Sequence, residues 1–258
     1  ALFTQPGWEN IGVEEGSVDL QLSNLKLSRK EGKPVWSAMV NELSLQNPNA
    51  FLLGKNKNNL LFNQVAVGNL QLSSSYLSDF SQLLKYNVSA WLRTATGQYT
   101  DSNTTLKWYN ADYSYANQTL SLDSFTYHPT QPRNSVIANA AFQKDYITFR
   151  SGPVQLAGFD LQKYSKDSAL IAESITVTEP VVTVYRDKLP PFRAGTIKPL
   201  PVDVIKNISL PVSVGRINIE NGQLFYTEKN AKSRAEGTLL MTNISGNLSN
   251  IKNRNLEE

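Results

Sequence analysis

Apolar and polar residues alternate with a period of two along most of the chain. That is the spacing of a strand with one face turned to an apolar wall and the other to water. In "SVDLQLSNLKLS", Val18, Leu20 and Leu22 share a face, followed by Leu25 and Leu27. "QVAVGNLQLS" sets Val65 and Val67, then Leu70 and Leu72; "QTLSLDSFTY" sets Leu120 and Leu122, then Phe125 and Tyr127. "ESITVTEPVVTVYRD" sets Ile175 and Val177, then Val182 and Val184. The phase slips by one residue in mid-run, often at a Gly, Asn or Asp, and such slips predict bulges or tight turns that bend and twist a sheet. The stretch "PVSVGRINIENGQLFYTE" joins two alternating runs at Glu220-Asn221-Gly222 and predicts a hairpin or a sharply bent strand.

Helical spacing is scarce. "SSSYLSDFSQLLKY" places Tyr76, Phe80, Leu83 and Leu84 on one face and predicts a short amphipathic helix near 76–85, and "LPVDVIKN" at 200–207 predicts a helical turn. Prolines mark a loop over 189–201. The pattern also repeats in order. "GSVDLQL" at Gly16 matches "GPVQLAG" at Gly152, "NELSLQNP" matches "ESITVTEP", and "NVSAWLRTATGQ" matches "PVSVGRINIENGQ". A unit of meandering strands and a short helix cannot bury its apolar wall alone, so neighbouring units continue the sheet. The expected fold is mainly β: an elongated, curved antiparallel sheet of about two repeated units with a few short helices. The first unit spans 1–140 and the second 141–258, in one continuous sheet.

Composition narrows the classes. A chain of 258 residues, 40% hydrophobic and 10% aromatic, can bury a sizeable core. The net charge of +3 is spread along the chain without a Lys/Arg run to track phosphates, which argues against nucleic-acid binding. The absence of cysteine removes disulfides, thiolate metal sites and thiol nucleophiles. No apolar run approaches the roughly 20 residues of a membrane span, and no signal peptide is visible; the chain reads as a mature or excised soluble piece. Six Asn-x-Ser/Thr sequons, at Asn87, Asn103, Asn117, Asn207, Asn243 and Asn247, are near the number that this Asn, Ser and Thr content gives by chance.

No catalytic motif stands out. His128, the one histidine, lies beside Pro129 and reads as a surface turn residue; Gly-x-Ser-x-Gly is absent. One histidine and no cysteine leave no zinc spacing, and neither a metal nor a cofactor is expected. Scattered acids such as those in "VEEG" read as solvated turn residues rather than a glycosidase pair. "TDSNTT" is polar enough for calcium but lacks the EF-hand spacing. One cluster carries a second hypothesis. Trp108, Tyr109, Tyr113 and Tyr115, in "LKWYNADYSYANQ", form a strip for stacking on sugar rings or contacting a partner if they lie exposed on a flat face. The alternative, aromatics packed across strands, buries them in the sheet.

The alternation supplies candidate wall residues: Val154, Leu156, Ile175, Val177, Val182, Val184, Ile217, Ile219 and Leu224. They line either an open groove or an ordinary closed core.

The second half resembles the AsmA-like family of bacterial envelope proteins (AsmA/TamB type). Three features carry the resemblance over about 100 residues. "ALIAESITVTEPVVTVYRDK" has a strand ending in Pro before an alternating strand and Arg-Asp; "LPVDVIKN" precedes the "LPVSVGRINIENGQLFYTE" strand pair; "GTLLMTNISGNLSNI" is an alternating strand closing on a Gly-Asn turn. The Pro-rich loop after Arg186 departs from the family pattern. The resemblance implies a taco-like β-gutter with an apolar inner wall. It further implies a periplasmic location in a diderm bacterium, tethered to the inner membrane through a segment outside this chain. The implied work is non-enzymatic: contact with phospholipid or another envelope lipid, its transfer toward the outer membrane, or assistance in assembly there. The alternative is a β-sandwich-like binding module for glycan or protein that uses the aromatic strip.

Overall fold

The computed structural model describes residues 8–14, 17–30, 33–46, 49–54, 59–76, 80–161, 163–164, 169–193, 195 and 211–253. In chain order the elements are β1 (Trp8–Glu14), β2 (Ser17–Lys30), β3 (Lys33–Gln46), β4 (Asn49–Gly54), β5 (Asn59–Ser73), α1 (Phe80–Tyr86), β6 (Trp91–Thr100), β7 (Thr104–Ser114), β8 (Thr119–Leu122) and β9 (Ser124–Pro129). Then come α2 (Arg133–Ala138), β10 (Asp145–Ser151), β11 (Val154–Ala157), β12 (Leu170–Thr178), β13 (Val181–Asp187), β14 (Val212–Lys229) and β15 (Glu236–Lys252). The fold is mainly β, and every one of these strands belongs to a single sheet.

Several strands are consecutive halves of one longer ribbon. β8 and β9 both pair antiparallel with β7, and β11 and β10 continue that line against them. β12 and β13 in turn pair with β11 and β10, and both pair with β14 in one register, from Leu170↔Val212 to Asp187↔Lys229. At the other end, β1 and β2 run along β4 and β3, which both pair with β5. The ribbons thus lie side by side in chain order, and β9 pairs with β10 across position 140, so the sheet is continuous between the two expected units. Pairing is antiparallel except where β14 lies parallel to β12 and β13. The match between the two halves breaks at this point. In the first half β5 lies between β3 and β6 and reverses direction, whereas in the second β14 pairs directly with β12 and β13. A parallel neighbour requires the chain to cross back between the end of β13 and the start of β14. In that stretch, the turn expected at 200–207 lies outside the described residues.

The breaks between half-ribbons align into a transverse line of bulges. Gln64 (φ 51°), Asn110 (φ 48°), Glu179 (φ 50°), Asn221 (φ 55°) and Asn243 (φ 56°) sit along it in left-handed backbone. An extra residue in that conformation is what a bulge needs, and Asn tolerates it best. The backbone groups at the line stay bonded: Gly152 N–H donates to Thr178 C=O at 3.0 Å, Glu179 N–H to Glu220 C=O at 2.8 Å, and Gln223 N–H to Pro180 C=O at 2.8 Å. Asn110 Nδ2 donates to Asp123 Oδ2 at 2.6 Å between β8 and β9. Asn24 (φ 53°), Asn69 (φ 55°) and Asn250 (φ 56°) make further slips nearer the other end of their strands. The stretch 211–228 is therefore one strand bent at Asn221, not a hairpin. Gly246-Asn247, expected to close a strand, lies inside β15.

Close approach explains two glycines. The Trp108 ring lies over Gly97 directly across from it, so that a Cβ there would meet the indole at 2.1 Å; Trp91 covers Gly68 in the same way at 2.3 Å. Each ring replaces the side chain that its cross-strand partner lacks. Phe62 packs edge-on against Trp108 at 6.0 Å.

Among the described residues, α-helix is confined to short pieces beside the sheet. α1 forms where expected, with Leu83 buried, and Tyr76 stacks on Tyr86 at 4.8 Å. Asn87, 2% exposed, ties α1 to β5: its Nδ2 donates to Leu83 C=O at 2.7 Å and to Gln71 C=O at 3.0 Å, while its Oδ1 accepts from Gln71 N–H. That sequon is structural, because a glycan there would need the amide nitrogen that these bonds use.

Candidate functional site: an apolar face across the sheet

The register carries the alternation from strand to strand. Across the sheet run the pairs Leu20↔Leu43, Leu43↔Val67, Val67↔Leu92, Leu92↔Tyr113, Tyr113↔Leu120, Leu120↔Leu156, Leu156↔Ile175, Ile175↔Ile217 and Ile217↔Leu248. One uninterrupted row of apolar and aromatic side chains therefore crosses the sheet from β2 to β15, since directly opposed residues share a face. A second row lies beyond the bulge line: Tyr99↔Leu106, Leu106↔Tyr127, Tyr127↔Phe149, Phe149↔Val182, Val182↔Leu224 and Leu224↔Met241. The one-residue slip at the bulges keeps the two rows on one face; without it every apolar residue past Asn221 would turn to the other side.

All nine candidate wall residues fall into these rows or the ones beside them. Leu156, Ile175 and Ile217 lie in the first. Val154, Val177 and Ile219 form the adjacent row, Val182 and Leu224 lie in the second, and Val184 faces Ile147 and Tyr226. Val154 is buried and the others are half-buried. Neither a fully closed core nor a bare surface gives that pattern. Among the described residues Val214 alone has its large side chain under 2% exposed; it anchors a small cluster with Ala172, Val212 and Ile251, against which Leu170, Ile175 and Ile217 pack. The opposite face carries Arg93, Asp112, Ser121, Gln155, Thr176 and Arg216. Arg93 Nε bonds Asp112 Oδ2 at 2.8 Å in an exposed pair, a contact worth little in water.

The aromatic cluster does not make a flat exposed strip. Trp108 and Tyr113 lie on the apolar face, on either side of the Asn110 bulge, while Tyr109 points the other way and is exposed. Tyr115 follows the end of β7, and its ring meets Tyr113 edge-on at 6.5 Å. Tyr113 is 6% exposed, and burial pushes its phenol up to about 12, helped by Tyr115 and Asp160 nearby; its hydroxyl donates to Phe159 C=O at 3.3 Å. Trp108 and Tyr113 do the cross-strand packing weighed against the strip, while Tyr109 stands exposed.

Two residues weighed for chemistry have structural employment. His128 lies within β9 rather than in a loop; it faces Thr105, and its Nδ1 is 3.1 Å from Pro129 O. Asp101 Oδ1 accepts from the Asn103 and Thr104 amides at 2.8 and 2.7 Å, so "TDSNTT" is an Asx turn that joins β6 to β7. Among the described residues no group of His, Asp and Glu is placed to hold a metal ion, and no helix is long and apolar enough to cross a membrane. The sequence reading named wall residues only in the second half. It missed Leu92, Tyr113 and Leu120, which extend the first row; the alternation of Leu120 with Leu122 was visible, but the register that lines these residues up with Leu156 was not. Comparison of the chain with family models, with curated proteins and with solved structures gives no match.

Proposed function

We propose that the chain binds lipid acyl chains along its apolar face, as a non-enzymatic piece of an AsmA-like envelope protein that carries phospholipid or another envelope lipid between membranes, or aids outer-membrane assembly. The supporting observation is the apolar row that crosses the sheet from Leu20 to Leu248 without a polar interruption. Each methylene removed from water contributes about 0.8 kcal/mol. A continuous row lets an acyl chain move from strand to strand without giving that up, while the head group stays wet. A periplasmic setting and a tether outside this chain belong to the same proposal. No residue has to perform chemistry on the lipid.

The test is photo-crosslinking. A photoreactive residue replaces Leu156, Val184 or Ile217 on the apolar face, and Gln155 or Arg216 on the polar face. The purified protein is irradiated with phosphatidylethanolamine and phosphatidylglycerol vesicles and analysed by mass spectrometry. Lipid adducts confined to the first three positions are the expected result. Equal labelling of both faces, or none with the protein folded, refutes lipid binding on this wall.

A further inference from the structure

One segment lies over the first row. After β11 the chain turns at Gly158 (φ 66°), where a Cβ would come within 2.4 Å of the Glu173 side chain, and sets Phe159 against the row. The Phe159 ring meets Tyr113 edge-on at 5.7 Å and Tyr164 at 5.8 Å. Its backbone is pinned on both sides: Phe159 N–H donates to Gln118 C=O at 2.8 Å, and Asp160 N–H to Ile171 C=O at 3.2 Å. Asp160 Oδ1 accepts from the Lys163 amide at 2.9 Å and fixes the turn itself. The ring covers one position of the row. Leu20 and Leu248 at the two ends are each 50% exposed and Leu92 is 42% exposed, but Tyr113 beside Phe159 is 6% exposed and Phe159 itself 9%.

We infer that Phe159, seated on Tyr113, is the narrow point of the apolar row: it sets the width of the acyl chain that passes between the β2–β6 side and the β12–β15 side. This rests on the lipid-binding reading above. A chain following the row must pass the Phe159 ring, which is held by backbone bonds to β12 and to the turn before β8 and so does not swing aside freely. An unbranched chain is narrow enough to slip along the row beside the ring; a bulky or ring-bearing tail is stopped there.

The test uses two probes on the purified protein: cis-parinaric acid, a straight-chain fluorescent fatty acid, and a fatty acid with a pyrene at its tail. Wild type is expected to favour the straight chain. Phe159→Leu and Phe159→Ala are expected to tighten pyrene binding about tenfold, the scale of steric discrimination in an apolar pocket, with the straight chain changed less than about twofold. Phe159→Trp is expected to weaken both. Should Phe159→Ala lose its cooperative unfolding transition, the Leu and Trp variants carry the comparison. A probe ratio that is the same in wild type and in the Leu and Trp variants overturns the narrow point and leaves lipid binding standing. A wild-type protein that binds neither probe overturns both.

Discussion

β14 and β15 are hydrogen-bonded neighbours from Ser213↔Lys252 to Lys229↔Glu236, yet they occupy opposite environments. β14 has β12 and β13 on its other side and holds Val214, 1% exposed; β15 has no partner beyond β14 among the described strands and leaves Leu239, Leu240, Met241 and Leu248 about half exposed. The apolar row does not fade as it reaches that edge: Ile217 and Leu248 are directly opposed. β2 repeats the situation at the far end, with Leu20, Leu22, Leu25 and Leu27 exposed. The difference teaches that the apolar row continues past the buried part of the sheet; Leu240, opposite Phe225 on the other face of β15, is exposed as well.

Breaking the buried strand has the largest expected effect. Val214→Asp puts an unpaired carboxylate into the Ala172–Val212–Ile251 cluster and is expected to cost about 4 kcal/mol or more, in the range of exceptional substitutions. Leu248→Asp, on the neighbouring strand, is expected to stay within about 0.5 kcal/mol. Urea unfolding of the pair checks this, and similar losses in both would show that β15 is covered in solution.

Next come two contacts on the better-packed side. Gly97→Val forces Trp108 off its partner strand and is expected to cost about 3 kcal/mol, with a shift of indole emission that reports the displaced ring. Arg186 and Asp145, directly opposed on β13 and β10, form a two-pronged ion pair with Nε to Oδ1 and Nη2 to Oδ2. Arg186→Ala is expected to cost about 2 kcal/mol, because the half-buried Asp145 loses charge-assisted bonds.

The β15 edge, unpaired beyond β14 among the described strands, gives a smaller and different readout. β15 carries its charges at Glu236 and Lys252 and none between, whereas exposed edges are usually guarded by a central charge. Sedimentation at rising concentration is expected to show self-association that Thr242→Lys reduces, with unfolding stability unchanged.

Much of the architecture was legible in period-two alternation, because one half-solvated face leaves that mark on each strand. The slips at Asn24, Asn69 and Asn221 were legible too, since Asn tolerates left-handed backbone. The slip between Val177 and Val182 was legible in the alternation although Glu179 itself does not announce left-handed backbone; the slip at Gln64 was not legible. The parallel seating of β14 against β12 and β13 could not be read, because it depends on where the 188–211 connection returns. The nine wall residues were recognisable one strand at a time. That they form rows with Leu92, Tyr113 and Leu120 depends on register, and that Phe159 lies over Tyr113 depends on a turn whose one visible sign was Gly158.

The smallest expected effect separates the two sides of β14 by pH. Glu228 accepts from Lys188 Nζ at 2.6 Å and from Tyr226 Oη at 3.0 Å, and the Lys188 bond, followed by that of Tyr226, holds its carboxyl below the usual range against some opposing desolvation. A depressed folded-state value favours the fold while the unfolded carboxyl is also ionised, above about pH 4.3. That contribution is lost as pH falls through the folded value. The melting temperature is therefore expected to decline below about pH 4.3, and Glu228→Gln is expected to flatten this part of the profile while lowering the plateau at neutral pH slightly. On the β15 side of the same strand, Thr227 Oγ1 and Thr238 Oγ1 are hydrogen-bonded at 2.9 Å, a tie that carries no carboxyl. Thr238→Val is expected to leave the acid slope in place. A flattening by Thr238→Val equal to that of Glu228→Gln would mean that the acid response belongs to the whole end of the sheet and not to the tie between β14 and the loop after β13.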